Sequence, residues 1–137
     1  MKTIDLQPGK KVYFSSDNHL GAPTMEHSLP RERKFVAWLD EIKDDAGAIF
    51  LIGDLFDFWM EYKTVVPKGF TRTLGKLAEL SDAGIPIYFF VGNHDLWMNG
   101  WHLTVRSYIP LIPPLWSTWG NLAVSELFKI WMVEERL

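Results

Sequence analysis

Three short apolar runs, each closed by a cluster of polar residues, constrain this chain more than any other feature. Lys11-Val12-Tyr13-Phe14-Ser15-Ser16 runs into Asp17-Asn18-His19. Ala48-Ile49-Phe50-Leu51-Ile52 runs into Gly53-Asp54-Leu55-Phe56-Asp57, and Ile85-Pro86-Ile87-Tyr88-Phe89-Phe90-Val91 into Gly92-Asn93-His94-Asp95. Short runs of β-branched and aromatic residues bounded by turn formers read as strands, the second and third buried on both faces. After a turn-rich stretch from Asn18 to Pro30, Phe35, Trp38, Leu39 and Ile42 recur at helical spacing, with Gly47 as the terminator. A second helix sets Phe70, Leu74, Leu77 and Ala78 on one face and stops at Gly84, after an aromatic-rich loop from Leu55 to Gly69. The alternation is β-α-β-α-β. It predicts an α/β fold, a parallel arrangement with helices packed on the sheet.

Asp17, Asp54 and Asn93 follow one another at intervals of 37 and 39 residues, each one βα unit. Ligands of open α/β sheets bind outside the carboxyl ends of the strands, so this spacing brings Asp17, His19, Asp54 and Asn93 to one rim. Carboxylate, imidazole and amide-carbonyl groups without sulfur suit Mn²⁺, Fe²⁺ or Zn²⁺, with Mn²⁺ favoured where oxygens dominate. Gly53 and Gly92 suit tight turns where backbone approaches a site. Taken singly, each residue has a plainer reading. An Asp after a strand is ordinarily a turn former or cap. Asp57 either caps or orients, and Asp95 either holds the His94 ring in one tautomer or forms a turn. His27 and His102 belong to no cluster. The joint pattern of DxH, GDxxD and GNHD at three successive strand ends is what favours a shared site.

Composition narrows the class. At 137 residues, 47% hydrophobic and 23% charged, the chain is long enough for one ordinary domain and is not a disordered or low-complexity sequence. It has no cysteine, hence no disulfide and no thiolate site. A net charge of −3 gives no electrostatic reason to expect nucleic acid as the partner. The N-terminus shows no secretory pattern. The longest uncharged run, Ser107 to Ser125, is broken by Pro110, Pro113 and Pro114, against a spanning helix. These features read as a cytoplasmic protein, at most in peripheral contact with a membrane. Composition shifts near residue 98. Residues 99–137 hold six charged side chains and four of the seven tryptophans, at 101, 116, 119 and 131. The one element expected there is a helix from Asn121, with Val124, Leu127, Phe128 and Trp131 at helical spacing.

In order and spacing, the three motifs resemble the calcineurin-like metallophosphoesterase superfamily. Ser16-Asp17-Asn18-His19-Leu20-Gly21 and Gly53-Asp54-Leu55-Phe56-Asp57-Phe58-Trp59 are similar to its UDP-2,3-diacylglucosamine hydrolase group, the pyrophosphatases of lipid A synthesis, over residues 10–98. The resemblance implies a layered β-sheet flanked by helices and two divalent ions, Mn²⁺ foremost. It implies a substrate in which a nucleotide diphosphate is joined to a diacylated sugar, cleaved to UMP and diacylglucosamine 1-phosphate. It also implies a peripheral enzyme on the cytoplasmic face of the inner membrane. Asp17 and His19 then hold one ion, Asp54 bridges, and Asn93 holds the second, while Asp57, Asp95, Gly53 and Gly92 support them. His94 stands where superfamily members contact the phosphate or protonate the leaving group. Phe56, Phe58, Trp59, Met60, Tyr62, Trp97 and Met98 offer an apolar wall for acyl chains, with Phe58, Trp59 and Trp97 flanking the substrate; the same rings serve equally as packing.

The same resemblance implies a further metal-binding histidine and a late GHxH pair, and the four histidines, at 19, 27, 94 and 102, supply neither. The sequence therefore predicts an incomplete site, at most one tightly bound ion per chain, and weak or absent turnover by the chain alone. One expectation is a 1–98 half-domain followed by a divergent Trp- and Pro-rich 99–137 tail from a frameshifted or truncated reading. A second is a natural half-domain completed by another chain or a homo-oligomer, and a third is a compact divergent enzyme. The alternative from a different class is a non-catalytic remnant or interaction module associating through its aromatic tail.

Overall fold

A computed structural model describes residues 4–63, 65–95, 97 and 98, and the backbone of 107–109. In chain order the elements are β1 (Lys11–Ser15), α1 (Met25–Ile42), β2 (Ala46–Ile52), α2 (Thr71–Asp82), β3 (Ile87–Phe90) and β4 (Ser107–Ile109). The strands form one parallel sheet in the order β1-β2-β3-β4. The expected alternation is present, and β4 extends it. Three residues beside Pro110 are too short a run to read as a strand; β4 is defined by pairing with β3, Tyr88 against Ser107 and Phe90 against Ile109. The helix expected from Asn121, His102 and the tryptophans at 101, 116, 119 and 131 lie outside the described residues.

Crossovers of like hand between adjacent parallel strands put both helices on one face of the sheet. Side chains joining the helices agree with this: Lys76 Nζ reaches Asp40 Oδ1 at 2.9 Å, and Thr73 Oγ1 donates to buried Glu32 at 3.4 Å. Between helices and sheet lies the core, with Phe35, Leu39 and Ile42 of α1 and Leu77 and Leu80 of α2 against Ile49, Leu51, Ile87 and Phe89. On the other face the rings of Phe14, Phe50 and Tyr88 form a ladder across three strands, with centroids 5.1 and 4.7 Å apart. Phe50 and Ile52 are only half-buried there. Burial on both faces, expected for β2 and β3, holds at Ala48 but gives way to alternation after it and along β3.

Two boundaries also move. α1 begins at Met25, inside the stretch read as turns, because Thr24 caps it by accepting the His27 N–H at 3.3 Å. Pro30 sits inside the helix, which forgoes one backbone hydrogen bond there. Gly47, expected to end that helix, lies in β2 instead. Lys11 pairs with Ala46 and Val12 with Ala48, so Gly47 is the extra residue of a bulge. A Cβ on it would lie 2.5 Å from Leu6 Cδ1 and 3.0 Å from Lys10 Cβ, so a side chain there would displace the exposed Leu6. Gly84 does end α2: its φ is +89°, and the Gly84 and Ile85 N–H groups close onto Ser81 and Leu80.

Candidate metal centre

Strand pairing continues past the strand ends and builds the site. The N–H groups of Asp17, His19 and Leu20 donate to the carbonyls of Gly53, Asp54 and Leu55 at 3.3, 3.0 and 2.9 Å. The Asp57 N–H returns to Leu20 at 2.9 Å. The DxH loop is thus zipped onto the GDxxD loop. To follow each other this closely, the chains adopt left-handed backbone at Asp17 (φ 52°), His19 (φ 43°) and Asp54 (φ 51°). A side-chain-bearing residue pays roughly 1–2 kcal/mol for that conformation. Strain gathered on the residues with ligand chemistry is the pattern of a functional site.

The third loop is drawn in by glycine and by a buried carboxylate. Gly53 and Gly92 face each other, and a Cβ on Gly53 would lie 3.1 Å from Gly92 Cα. This close approach lets Asp54 Oδ1 accept the His94 N–H at 2.9 Å. Asp95 is fully buried; one oxygen accepts the Gly92 N–H at 2.5 Å and the other the Leu55 N–H at 3.1 Å. Burial pushes the Asp95 carboxyl up to about 6, and the nearby Asp54 charge adds to the shift, while its backbone donors oppose it.

One ligand atom each from Asp17, His19 and Asp54 lies within 4.8 Å of the others, and so do one each from His19, Asp57 and His94. His19 belongs to both groups. Its Nδ1 is buried without a hydrogen-bond partner, although Asp57 Oδ1 is 3.5 Å away. A buried polar atom left unpaired among carboxylates fits a cation-binding site, and the oxygen and nitrogen donors fit a hard or borderline divalent ion. The imidazoles of His19 and His94 meet edge to face, with centroids 4.7 Å apart. His94 Nδ1 lies 2.7 Å from the Asp57 carbonyl, so this nitrogen carries a proton and donates it, leaving Nε2 free of that contact. That backbone hydrogen bond raises the His94 pKa above its ordinary value, and the Asp54, Asp57 and Asp95 charges add to it.

Asn93 is exposed at the same rim. The aromatic wall divides. Phe58 and Trp97 are each 57% exposed with their rings 6.0 Å apart, and Met60 and Tyr62 are also exposed. Trp59 is a correction: it is fully buried against Phe56 and Phe70, its Nε1 donating to Glu61 at 2.8 Å, so it is core and flanks nothing. Phe56 and Met98 are buried too. Sequence reasoning missed Ser28 and Arg31 of α1, whose side chains hydrogen-bond the backbone of the DxH loop. Backbone carbonyls have no sequence signature, and no residue pattern pointed to this contact.

A UDP-2,3-diacylglucosamine hydrolase of Porphyromonas gingivalis is 54% identical over 89 residues, which are 65% of this chain and 34% of that protein. One of the same name from Actinobacillus succinogenes is 34% identical over 85 residues, 62% of this chain and 34% of that protein. The chain spans about a third of the length of these curated relatives. Among solved structures, the Pseudomonas putida nuclease MPE aligns with a TM-score of 0.45 at 16% identity, over 74% of this chain and 50% of that one. The profile of the calcineurin-like phosphoesterases, hydrolases that typically bind divalent metals, matches residues 10–134 and so takes in all three loops. A match over that much of the sequence decides the matter: the chain belongs to the calcineurin-like phosphoesterase family.

Proposed function

We infer that this chain carries the first part of the metal centre of a pyrophosphatase acting on UDP-2,3-diacylglucosamine or a closely related nucleotide-linked acylated sugar. The observation that carries the reading is the meeting of Asp17, His19 and Asp54 ligand atoms within 4.8 Å, with His94 against them. Asp17, His19 and Asp54 would hold one ion, and Asp54 with Asn93 would serve a second. The His94 N–H keeps the Asp54 carboxylate at the junction of the second and third loops. A bound divalent ion, Mn²⁺ on this oxygen-rich set, supplies Lewis acidity and lowers the pKa of water towards neutrality. His94, anchored through Nδ1, presents Nε2 to a phosphate oxygen or the leaving group, and its raised pKa favours the protonated, donating form. Asp57 and Asp95 fix His94 and the loop junction.

The curated relatives' names support the substrate class. Exposed Phe58, Met60, Tyr62, Val65, Val66 and Trp97 support an apolar wall for acyl chains and peripheral contact with the cytoplasmic face of a membrane. No helix among the described residues is long and apolar enough to cross one.

The test is calorimetric titration of the chain with Mn²⁺, followed by UMP release from UDP-2,3-diacylglucosamine in detergent micelles. One tightly bound ion per chain is expected, with slow, metal-dependent release that disappears in Asp54→Ala. Absence of metal binding, or release indifferent to both metal and Asp54, rejects the reading.

A further inference from the structure

The loop carrying Asp17 and His19 is gripped from its outer side by α1. Arg31 Nη1 donates to the His19 carbonyl at 2.7 Å and to the Asn18 carbonyl at 3.2 Å, and Nη2 reaches the Ala22 carbonyl at 3.4 Å. Three residues earlier, Ser28 Oγ accepts the Gly21 N–H at 2.7 Å, with Ser28 only 2% exposed. Residues three apart share a helix face, so these two side chains bracket Asn18 to Ala22 together.

This stretch needs such a grip. Its backbone passes through positive φ at Asp17, His19 and Gly21, and a residue with a side chain relaxes from that conformation unless its surroundings over-determine it. Sheet-like bonds to Gly53, Asp54 and Leu55 fix the loop on one side. The Asn18, His19 and Ala22 carbonyls accept from α1 instead, and a planar fork of N–H groups can satisfy several of them in one geometry, which a lysine ammonium matches poorly. Binding the His19 carbonyl fixes the peptide plane that follows His19, and with it the direction from which the imidazole leaves the backbone. Arg31 is itself exposed, so the hydrophobic core does not depend on it.

We propose that Arg31, seconded by Ser28, is a positioning residue for the metal centre, holding His19 in the left-handed conformation that aims its ring at Asp17 and Asp54. It acts through the loop and contacts none of the ligand atoms. The inference rests on the metal-centre reading above.

The experiment uses the full chain as wild type and as Arg31→Ala, Arg31→Lys, Ser28→Ala and, as a surface control, Arg33→Ala. Mn²⁺ affinity is measured by calorimetry, amide exchange of the 17–22 segment by mass spectrometry on the metal-free chain, and Tm on the same samples. Arg31→Ala is expected to weaken Mn²⁺ binding about tenfold, the scale of loss when a ligand's outer support is removed. It also speeds exchange in that segment, with Tm within about 2 °C of wild type. Arg31→Lys recovers part of the affinity, Ser28→Ala loses about threefold, and Arg33→Ala changes nothing. Arg31→Ala binding Mn²⁺ within about twofold of wild type, or losing affinity only in step with Tm, overturns the positioning role. A wild type that binds no Mn²⁺ overturns the metal-centre reading and this inference with it. Faster exchange in Arg31→Ala would then mark a structural contact alone.

Discussion

Asp54 Oδ1 accepts the backbone N–H of His94 at 2.9 Å, so the acid that follows the second strand is bound directly to the loop that follows the third. On the proposed reading one carboxylate does two jobs, as metal ligand and as tether, and the two can be separated. Asp54→Asn keeps an oxygen for the His94 N–H but loses the charge. It should bind Mn²⁺ at least tenfold more weakly while melting within about 2 °C of wild type. Asp54→Ala should lose both affinity and a further few degrees. Calorimetric titration paired with thermal melts separates the two outcomes.

Gly92 should tolerate no side chain. A Cβ there would fall 2.5 Å from Asp54 N and 2.7 Å from Asp54 Cγ, and neither backbone nor tethered carboxylate can move aside. Gly92→Ala is expected to cost about 2–3 kcal/mol in urea unfolding. Gly75, inside α2 with nothing within 4 Å of its added Cβ, should respond oppositely, gaining roughly 0.5–1 kcal/mol on Gly75→Ala.

Neighbouring aromatic residues should behave differently. Trp59→Ala empties a fully buried site and should cost about 3–5 kcal/mol, whereas Phe58→Ala removes a ring that is 57% exposed and should stay within about 1 kcal/mol. Denaturant midpoints of the two variants at one pH check this.

Stability of the metal-free chain should rise on mild acidification. Asp95 has a folded pKa of about 6, above the ordinary carboxylate value, so its contribution is full below the unfolded pKa of about 3.9 and lost as pH rises through about 6. His94 is also raised, so its contribution is full below about 6.5 and lost as pH rises above it. Both act in the same direction between pH 5 and 8. Asp40 and Asp45, whose pKa values are lowered by Lys76 and by Lys11 with Tyr13, lose their contribution only below the ordinary carboxylate range. Tm without metal is therefore expected to be higher at pH 5 than at pH 8, and the gain in Tm from added Mn²⁺ higher at pH 8, because ligands bind metal deprotonated. Thermal melts at both pH values, with and without the ion, measure both trends.

The rim of polar residues could be read from the sequence because local signals agree there: each apolar run ends where its ligands begin. What could not be read depends on partners distant in sequence. β4 exists through β3, and three residues before a proline announce nothing. The start of α1 hides behind Pro30, whose usual breaking effect loses to the Thr24 cap and the packed stripe of Phe35, Leu39 and Ile42. Phe58 and Trp59 are adjacent and similar in chemistry; only the surrounding loop sends one out and the other in. Gly47 is a bulge rather than a helix stop because β1 pairs Lys11 with Ala46 and Val12 with Ala48, a register set by a strand thirty-five residues away. Motifs single out Asp17, His19 and Asp54, but their left-handed backbone accompanies the zipping of two loops, which no single motif contains.

Strand order that equals chain order has a consequence for synthesis. On the ribosome each new strand meets a neighbour that has already been made. Once Asp57 has emerged, the first two loops have every backbone group they need to zip together, so Asp17, His19 and Asp54 can meet early. The groups that tether Asp54 and close the junction, the His94 N–H and the Asp95 carboxylate, come some forty residues later. The groups that bring Asp17, His19 and Asp54 together are thus made before the groups that tether Asp54. A chain arrested between those two points would lack every contact that fixes Asp54 to the third loop.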